Sequence, residues 1–355
     1  MAAERRGESH GTRPILSLGF RWDEMLEQRE KLWDYDAVES GQAGGETVVE
    51  INAENIAMYA TVSQNPDARY RKGHQSQDQG QGETLSAMPT MVITYAPLLR
   101  EEIAQTNGFV ALEQSTTARR QTPFAKCEAR WFQPVKEGDT ITGTRGVLEK
   151  YERRGSKFVT FRVQAHNQRG ELAAQYDYTC IFEYSQGQVT VPTEPGTDEP
   201  KPLVVTQSPR RVLTFDSIEV GDQLATLEIT ESQEVILAKN DFRLWGTPSV
   251  SNIHTDEEFA RKNIFGGAVN SGPASMSYVD QMLGLSFPLR SFYQGGRLLM
   301  RAITPFRSGD TVTFRGEITG KRTEGEDKIV ECRVKGVNQR GDLVNLSDAV
   351  FVLPD

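Results

Sequence analysis

Gly138-Asp139-Thr140, preceded by Pro134 and followed by Asn167-Gln168-Arg169-Gly170, recurs as Gly309-Asp310-Thr311, preceded by Pro305 and followed by Asn338-Gln339-Arg340-Gly341. Each element is displaced by the same 171 positions (305 − 134, 309 − 138, 338 − 167), with no insertion between them. Val159, Phe161 and Val163 alternate with Thr160 and Arg162, the two-residue period of a half-buried strand. At the same displacement stand Val330, Cys332 and Val334, alternating with Glu331 and Arg333. A slip of one residue would turn the apolar set outward, so the match preserves the buried face. Asn-Gln-Arg-Gly then supplies a polar turn, and a strand is expected after it in each copy, Tyr178–Tyr184 and Ala349–Leu353. The chain is two copies of one unit.

Working outward, Ser271-Gly272-Pro273 precedes Met276, Val279, Met282 and Leu283, apolar at helical spacing. Ser271 suits the N-cap, Pro273 the first turn and Gly284 the C-terminal stop. In the first copy, Ser86-Ala87-Met88-Pro89 leads into Tyr95, Leu98 and Leu99. Pro89 and Pro273 lie 184 apart (273 − 89), and a loop of about 13 extra residues is expected between helix and strands in the second copy. One helix followed by several antiparallel strands is an α+β pattern in which a sheet can wrap the helix. Ser185 to Arg211, rich in proline and without periodicity, reads as a linker. The expected organisation is a disordered tail over 1–14, a first domain over 15–184, a linker over 185–211 and a second domain over 212–355.

The 355 residues suit two domains, and a formal charge of −9 argues against a general nucleic-acid surface. It leaves room for a local basic patch that binds a phosphorylated ligand. Cys127, Cys180 and Cys332 are scattered, without metal-binding spacing, and with only four histidines no metal centre is expected. No stretch reaches the roughly 18 apolar residues of a membrane span, and the first 14 residues lack a signal peptide's apolar core. A soluble, cytoplasmic protein is the expectation.

Asn252-Ile253-His254-Thr255-Asp256-Glu257-Glu258-Phe259-Ala260 is the most informative segment for chemistry. Aliphatic Ile253 precedes His254, and Ala260 follows it after five residues. With Phe265 to Gly272 and the Pro305, Gly309-Asp310-Thr311 strands downstream, the segment resembles the MaoC-like (R)-specific enoyl-CoA hydratases. The resemblance covers most of 212–355 and, more weakly, 30–185. It implies a double hotdog, with a thioester carbonyl docked at the N-terminus of the central helix, where free N–H groups and the helix dipole stabilise an enolate-like oxygen. It also implies catalysis by His254, close approach of the carbonyl at Gly272 and substrate contacts from Asn270 and Ser271. Tight helix–sheet packing is the plainer role for Gly272.

One departure is pronounced. The family's catalytic aspartate falls at Ser249, its asparagine at Ser251 and its proline at Asn252. Asp241, Asn252 or a residue from elsewhere could stand in for the missing carboxylate; Ser249, at the family's position, stays a catalytic candidate beside Asn252, and Asp241 a substrate-binding one. Thr255 and Glu258 fit a capping box in which Asp256 favours the helix start. In the first copy the corresponding Ser63-Gln64-Asn65-Pro66-Asp67-Ala68 has neither aspartate nor histidine at the family's positions. His74 falls in a polar stretch read as a mobile loop. The first copy is therefore expected to be chemically silent, and the resemblance implies that it gives room to an acyl chain. The expected function is cofactor-independent hydration or dehydration of an enoyl- or 3-hydroxyacyl-thioester of coenzyme A or a carrier protein, with homodimerisation open. The alternatives are His-dependent cyclisation by a tethered hydroxyl and an inactive acyl-binding subunit.

Overall fold

A computed structural model describes residues 30–73, 84–186, 204–249 and 251–353. The tail over 1–14, His74 and most of the proline-rich linker lie outside these residues. The first copy runs β1 (Leu32–Trp33), β2 (Thr47–Glu50), α1 (Ala53–Val62), a 3-10 turn (Pro89–Met91) continuing as α2 (Val92–Tyr95), α3 (Arg100–Thr106), β3 (Val110–Ala111), β4 (Phe124–Trp131), β5 (Thr140–Arg153), β6 (Ser156–His166) and β7 (Leu172–Glu183). The second runs β8 (Val205–Gln207), β9 (Leu227–Thr230), α4 (Gln233–Asp241), α5 (Glu257–Arg261), α6 (Gly272–Leu283), β10 (Gly296–Ala302), β11 (Thr311–Glu324), β12 (Asp327–Asn338) and β13 (Leu343–Leu353). No helix among the described residues is long and apolar enough to cross a membrane.

The repeat holds to the level of register. Val159 faces Cys180 across β6 and β7, and Val330 faces Phe351 across β12 and β13. Even the bulge between Val147 and Glu149 recurs between Ile318 and Gly320. The two halves form one 11-stranded sheet, in the order β2-β5-β6-β7-β4-β10-β13-β12-β11-β9-β8. Its seam is the antiparallel pair β4–β10, from Trp131 opposite Gly296 to Lys126 opposite Arg301. Neither copy exposes an edge at the seam, which removes a site for unwanted strand pairing.

Inside the curve of the sheet lies α6, with Ser271 as N-cap, Pro273 in the first turn and Gly284 at the C-cap. Met276, Tyr278, Val279, Met282 and Leu283 are fully buried, each contributing roughly 1.5–3 kcal/mol through apolar burial. The first copy's helix is shorter than its sequence pattern predicts. It stops at Tyr95, because Pro97 disfavours a helical conformation at Ala96, and Leu99 is left-handed with φ of 47°. Contrary to the expectation of a longer loop in the second copy, the longer connection between helix and strands belongs to the first and contains α3, because a displacement of 184 at the helix against 171 at the strands brings the second copy's helix closer to its strands.

Two local readings need correction. The linker reading over 185–211 includes β8, a three-residue edge strand paired with β9 through Val205, Thr206 and Gln207; β-branched residues near its start outweigh the proline-rich run before it. The cap expected at Thr255 falls one residue later, and with Phe259 at the third helical position no capping box forms. Asp256 itself is the N-cap of α5, accepting from Phe259 N at 2.9 Å.

Candidate functional site

The connection from α4 to α6 is shaped by one asparagine. Asn252 Oδ1 accepts from His254 N at 2.8 Å and Thr255 N at 3.2 Å, while its Nδ2 donates to Asn240 Oδ1 at 3.0 Å. Its amide is thus consumed in holding the turn, a positioning role. Gln233 Nε2 donates to His254 O at 2.9 Å, tying the turn to the start of α4. The first copy reinforces the turn directly. Arg119 Nη2 donates to Ser251 O at 2.6 Å, and its guanidinium lies 4.2 Å from the Phe259 ring centroid.

His254 Nδ1 lies 2.8 Å from Val269 O. A carbonyl only accepts, so this nitrogen carries the proton and Nε2 holds the lone pair. Among the described residues no carboxylate is hydrogen-bonded to the ring. Burial pushes its pKa down to about 4, against the bond to Val269, and Arg243 and Arg100 reinforce the shift. The imidazole is therefore neutral at neutral pH.

His254 lines a cavity of about 740 Å³ between the two copies. Lys239, Asn252, Asn270, Ser271 and Ala274 line it from the second copy, and Ile93, Leu98, Arg100 and Tyr178 from the first. Ser249 also borders it but is exposed, its hydroxyl turned to Ser251 O at 3.1 Å. Asp241 is exposed and lies outside the cavity lining, accepting from Asn240 Nδ2 at 3.2 Å.

At the start of α6, Pro273 has no N–H, and Ala274 N donates back to Ser271 O at 3.1 Å. The Gly272 N–H is left without a partner among the described residues. A Cβ at Gly272 would lie 2.0 Å from the Phe124 ring, so packing against β4 is what glycine permits here. Asn270 prepares this helix start: its Oδ1 accepts from Ser271 N at 2.8 Å, and its Nδ2 donates to the buried Glu231 carboxylate.

The sequence reading did not single out Lys239, Glu231 or Tyr278. Tyr278 OH donates to Glu231 at 2.7 Å, and Lys239 Nζ lies 4.0 Å from the Tyr278 ring centroid. Burial pushes the Glu231 carboxyl up and the Lys239 amine down, with attraction between them opposing both shifts. No signal in the sequence marks them. Along α4, Leu237 and Ala238 are exposed while Lys239 and Asn240 turn inward, the reverse of an ordinary amphipathic helix.

Comparison with known proteins agrees with this architecture. Residues 40–176 match the family model described as the FAS1-like dehydratase domain region. A MaoC-like dehydratase shares 16% identity at a TM-score of 0.63, over 88% of this chain and 99% of its own. A MaoC domain dehydratase from Chloroflexus aurantiacus shares 16% at 0.62, over 92% and 99%. A conserved hypothetical protein of Mycobacterium tuberculosis, described as a double hotdog, shares 15% at 0.57, over 90% and 98%. No curated protein sequence matches the chain. The protein is a double hotdog with the fold of the MaoC-like dehydratases. The dehydratase family match falls on the copy without the histidine motif.

Proposed function

We propose that this protein is a hydratase or dehydratase of enoyl- or 3-hydroxyacyl-thioesters, with His254 as its proton-transfer group. The observation that carries the reading is a neutral imidazole, oriented through Nδ1 by Val269, lining a cavity beside the start of α6. In the hydration direction, Nε2 takes a proton from water as the water oxygen bonds to the β-carbon. The displaced π electrons move onto the thioester oxygen, near the Gly272 N–H and the positive end of the α6 dipole. The imidazolium then returns its proton to the α-carbon, and the net change is addition of one water. Dehydration is the reverse.

In this reading the second domain (212–355) carries the chemistry and the first (15–184) supplies cavity walls. Ile93, Leu98 and Tyr178 offer apolar surface to an acyl chain. The substrate is a small-molecule thioester on coenzyme A or a carrier protein, and the setting is cytoplasmic. Among the described residues no carboxylate partners His254, which favours one second reading, cyclisation by a hydroxyl tethered within the substrate, which depends less on water activation. The test is a panel of short, medium and long trans-2-enoyl thioesters, on coenzyme A and on a carrier protein, followed at the conjugated-thioester absorbance. A hydroxyl-bearing enoyl-thioester completes the panel. Hydration adds the mass of water, whereas cyclisation leaves the mass unchanged. Failure of the whole panel to turn over would refute both and leave an acyl-binding subunit.

A further inference from the structure

Lys239 occupies an unusual position for a helix lysine. Its amine donates to Ser277 Oγ at 2.8 Å and Ala274 O at 3.3 Å, both on the first turns of α6. The ring of Tyr278 lies against it, and it lines the same cavity as His254, Asn270 and Ser271. No carboxylate forms an ion pair with it among the described residues. Glu231 attracts it without forming an ion pair: Tyr278 OH and Asn270 Nδ2 both donate to its Oε2, and its Oε1 is buried without a hydrogen-bond partner among the described residues. The ammonium has three donors, and two are committed.

An incompletely paired ammonium taken from water costs stability, and an apolar side chain of similar length would fill the space without that cost. The first copy shows such a solution. At the 180-residue displacement that relates α1 to α4 (233 − 53), Glu231 and Lys239 correspond to Ile51 and Tyr59, both buried. The charged pair is thus confined to the copy that carries the histidine.

We propose that Lys239 is a second catalytic group of this site, its amine meeting the thioester oxygen and stabilising the negative charge that develops there. The inference rests on the thioester reading above. It answers a shortage at the helix start, where Pro273 and the capped Ala274 leave Gly272 alone to offer an N–H. Lys239 keeps its protons throughout, and His254 alone moves the proton between water and the α-carbon.

The groups facing the amine are Glu231, from the connection before α4, and Tyr278, from α6; Arg243 donates to the carbonyl of Lys239 at 3.2 Å. Burial pushes the Tyr278 phenol up, out of the working range. Wild-type kcat should therefore fall as pH rises through a value below the ordinary lysine range, as Lys239 loses its charge.

The experiment measures kcat and KM against pH on trans-2-enoyl-CoA thioesters for wild type, Lys239→Met and Lys239→Arg, with thermal unfolding of each. Lys239→Met should lose about 10²–10³ in kcat, the scale of a lost oxyanion donor, with KM within a few-fold and Tm equal or higher. Lys239→Arg should keep part of the activity and lose the alkaline limb, because guanidinium stays charged. A Lys239→Met enzyme within a few-fold of wild type overturns the inference, as does a Lys239→Arg enzyme with the wild-type limb. Should Lys239→Met fail to fold, the limb of Lys239→Arg decides alone. A wild type inert on every thioester refutes the functional reading itself, and this inference with it. Activity in wild type with indifference to Lys239 refutes this inference only.

Discussion

The two central helices begin in opposite circumstances. In the first copy, Thr90 donates its N–H at 3.0 Å and its hydroxyl at 2.6 Å to Asp280, a buried carboxylate on the second copy's α6. An internal carboxylate therefore satisfies this helix start. In the second copy the Gly272 N–H meets no such group among the described residues. The loop after α1 also supports α6. Asp67 pairs with Arg69, whose Nη2 donates to Gly284 O at 3.3 Å, a cation at the C-terminal end of α6. Where the second copy builds a cavity around His254, the first spends its corresponding polar groups on holding α6. The two helix starts thus differ in how they are satisfied: the first takes a carboxylate from the other copy, and the second keeps an N–H without a partner among the described residues.

The contrast breaks most easily at His254. His254→Ala should lower kcat on a thioester substrate by about 10²–10⁴ while the protein still folds. His74→Ala should stay within a few-fold of wild type. Full activity in His254→Ala would sink the mechanism.

Next in size is a pair of opposed pH effects. Burial lowers His254 from 6.5 to about 4, so the stability it contributes is present above pH 6.5 and lost as pH falls toward 4. Burial raises Asp280 from 3.8 to about 6, so its contribution is present below pH 3.8 and lost as pH rises through 6. Each is worth about 3 kcal/mol at most, and in the wild type they oppose each other over nearly the same window. Asp280→Asn should unmask acid destabilisation, and His254→Ala should unmask acid stabilisation, both read from urea midpoints along a pH series. Identical pH dependence in the two variants would break the comparison.

Gly272 sharpens it. Gly272→Ala drives a methyl into the Phe124 ring and should cost about 1–3 kcal/mol. Adding Phe124→Leu should recover most of that stability. If activity returns with it, glycine serves packing; if stability returns alone, the helix start needs an unobstructed approach as well.

The smallest effect is expected from Ser249→Asp. Because Ser249 is exposed and turned toward Ser251, the new carboxylate should shift stability by less than about 0.5 kcal/mol and hydration by no more than a few-fold. A large gain in rate would show that the loop closes over substrate and restores the family's acid–base pair.

Taken residue by residue, what could be read from the chain was local or periodic. The 171-residue displacement carries strand pairing because side chains alternate with a period of two, so a conserved spacing conserves the buried face. Ser271, Pro273 and Gly284 bound α6 because caps and breakers act within a turn of the helix end. His254 was legible through its neighbours in sequence. The tertiary structure alone decided the rest: the Phe124 ring against Gly272, Asp280 at Thr90, Lys239 turned inward on α4, and the first copy's Arg119 bracing the site loop. The partners in these contacts lie 35 to 190 positions apart in the chain. No periodicity links such residues, because they are brought together only when α6 docks inside the curve of a sheet that both copies must build.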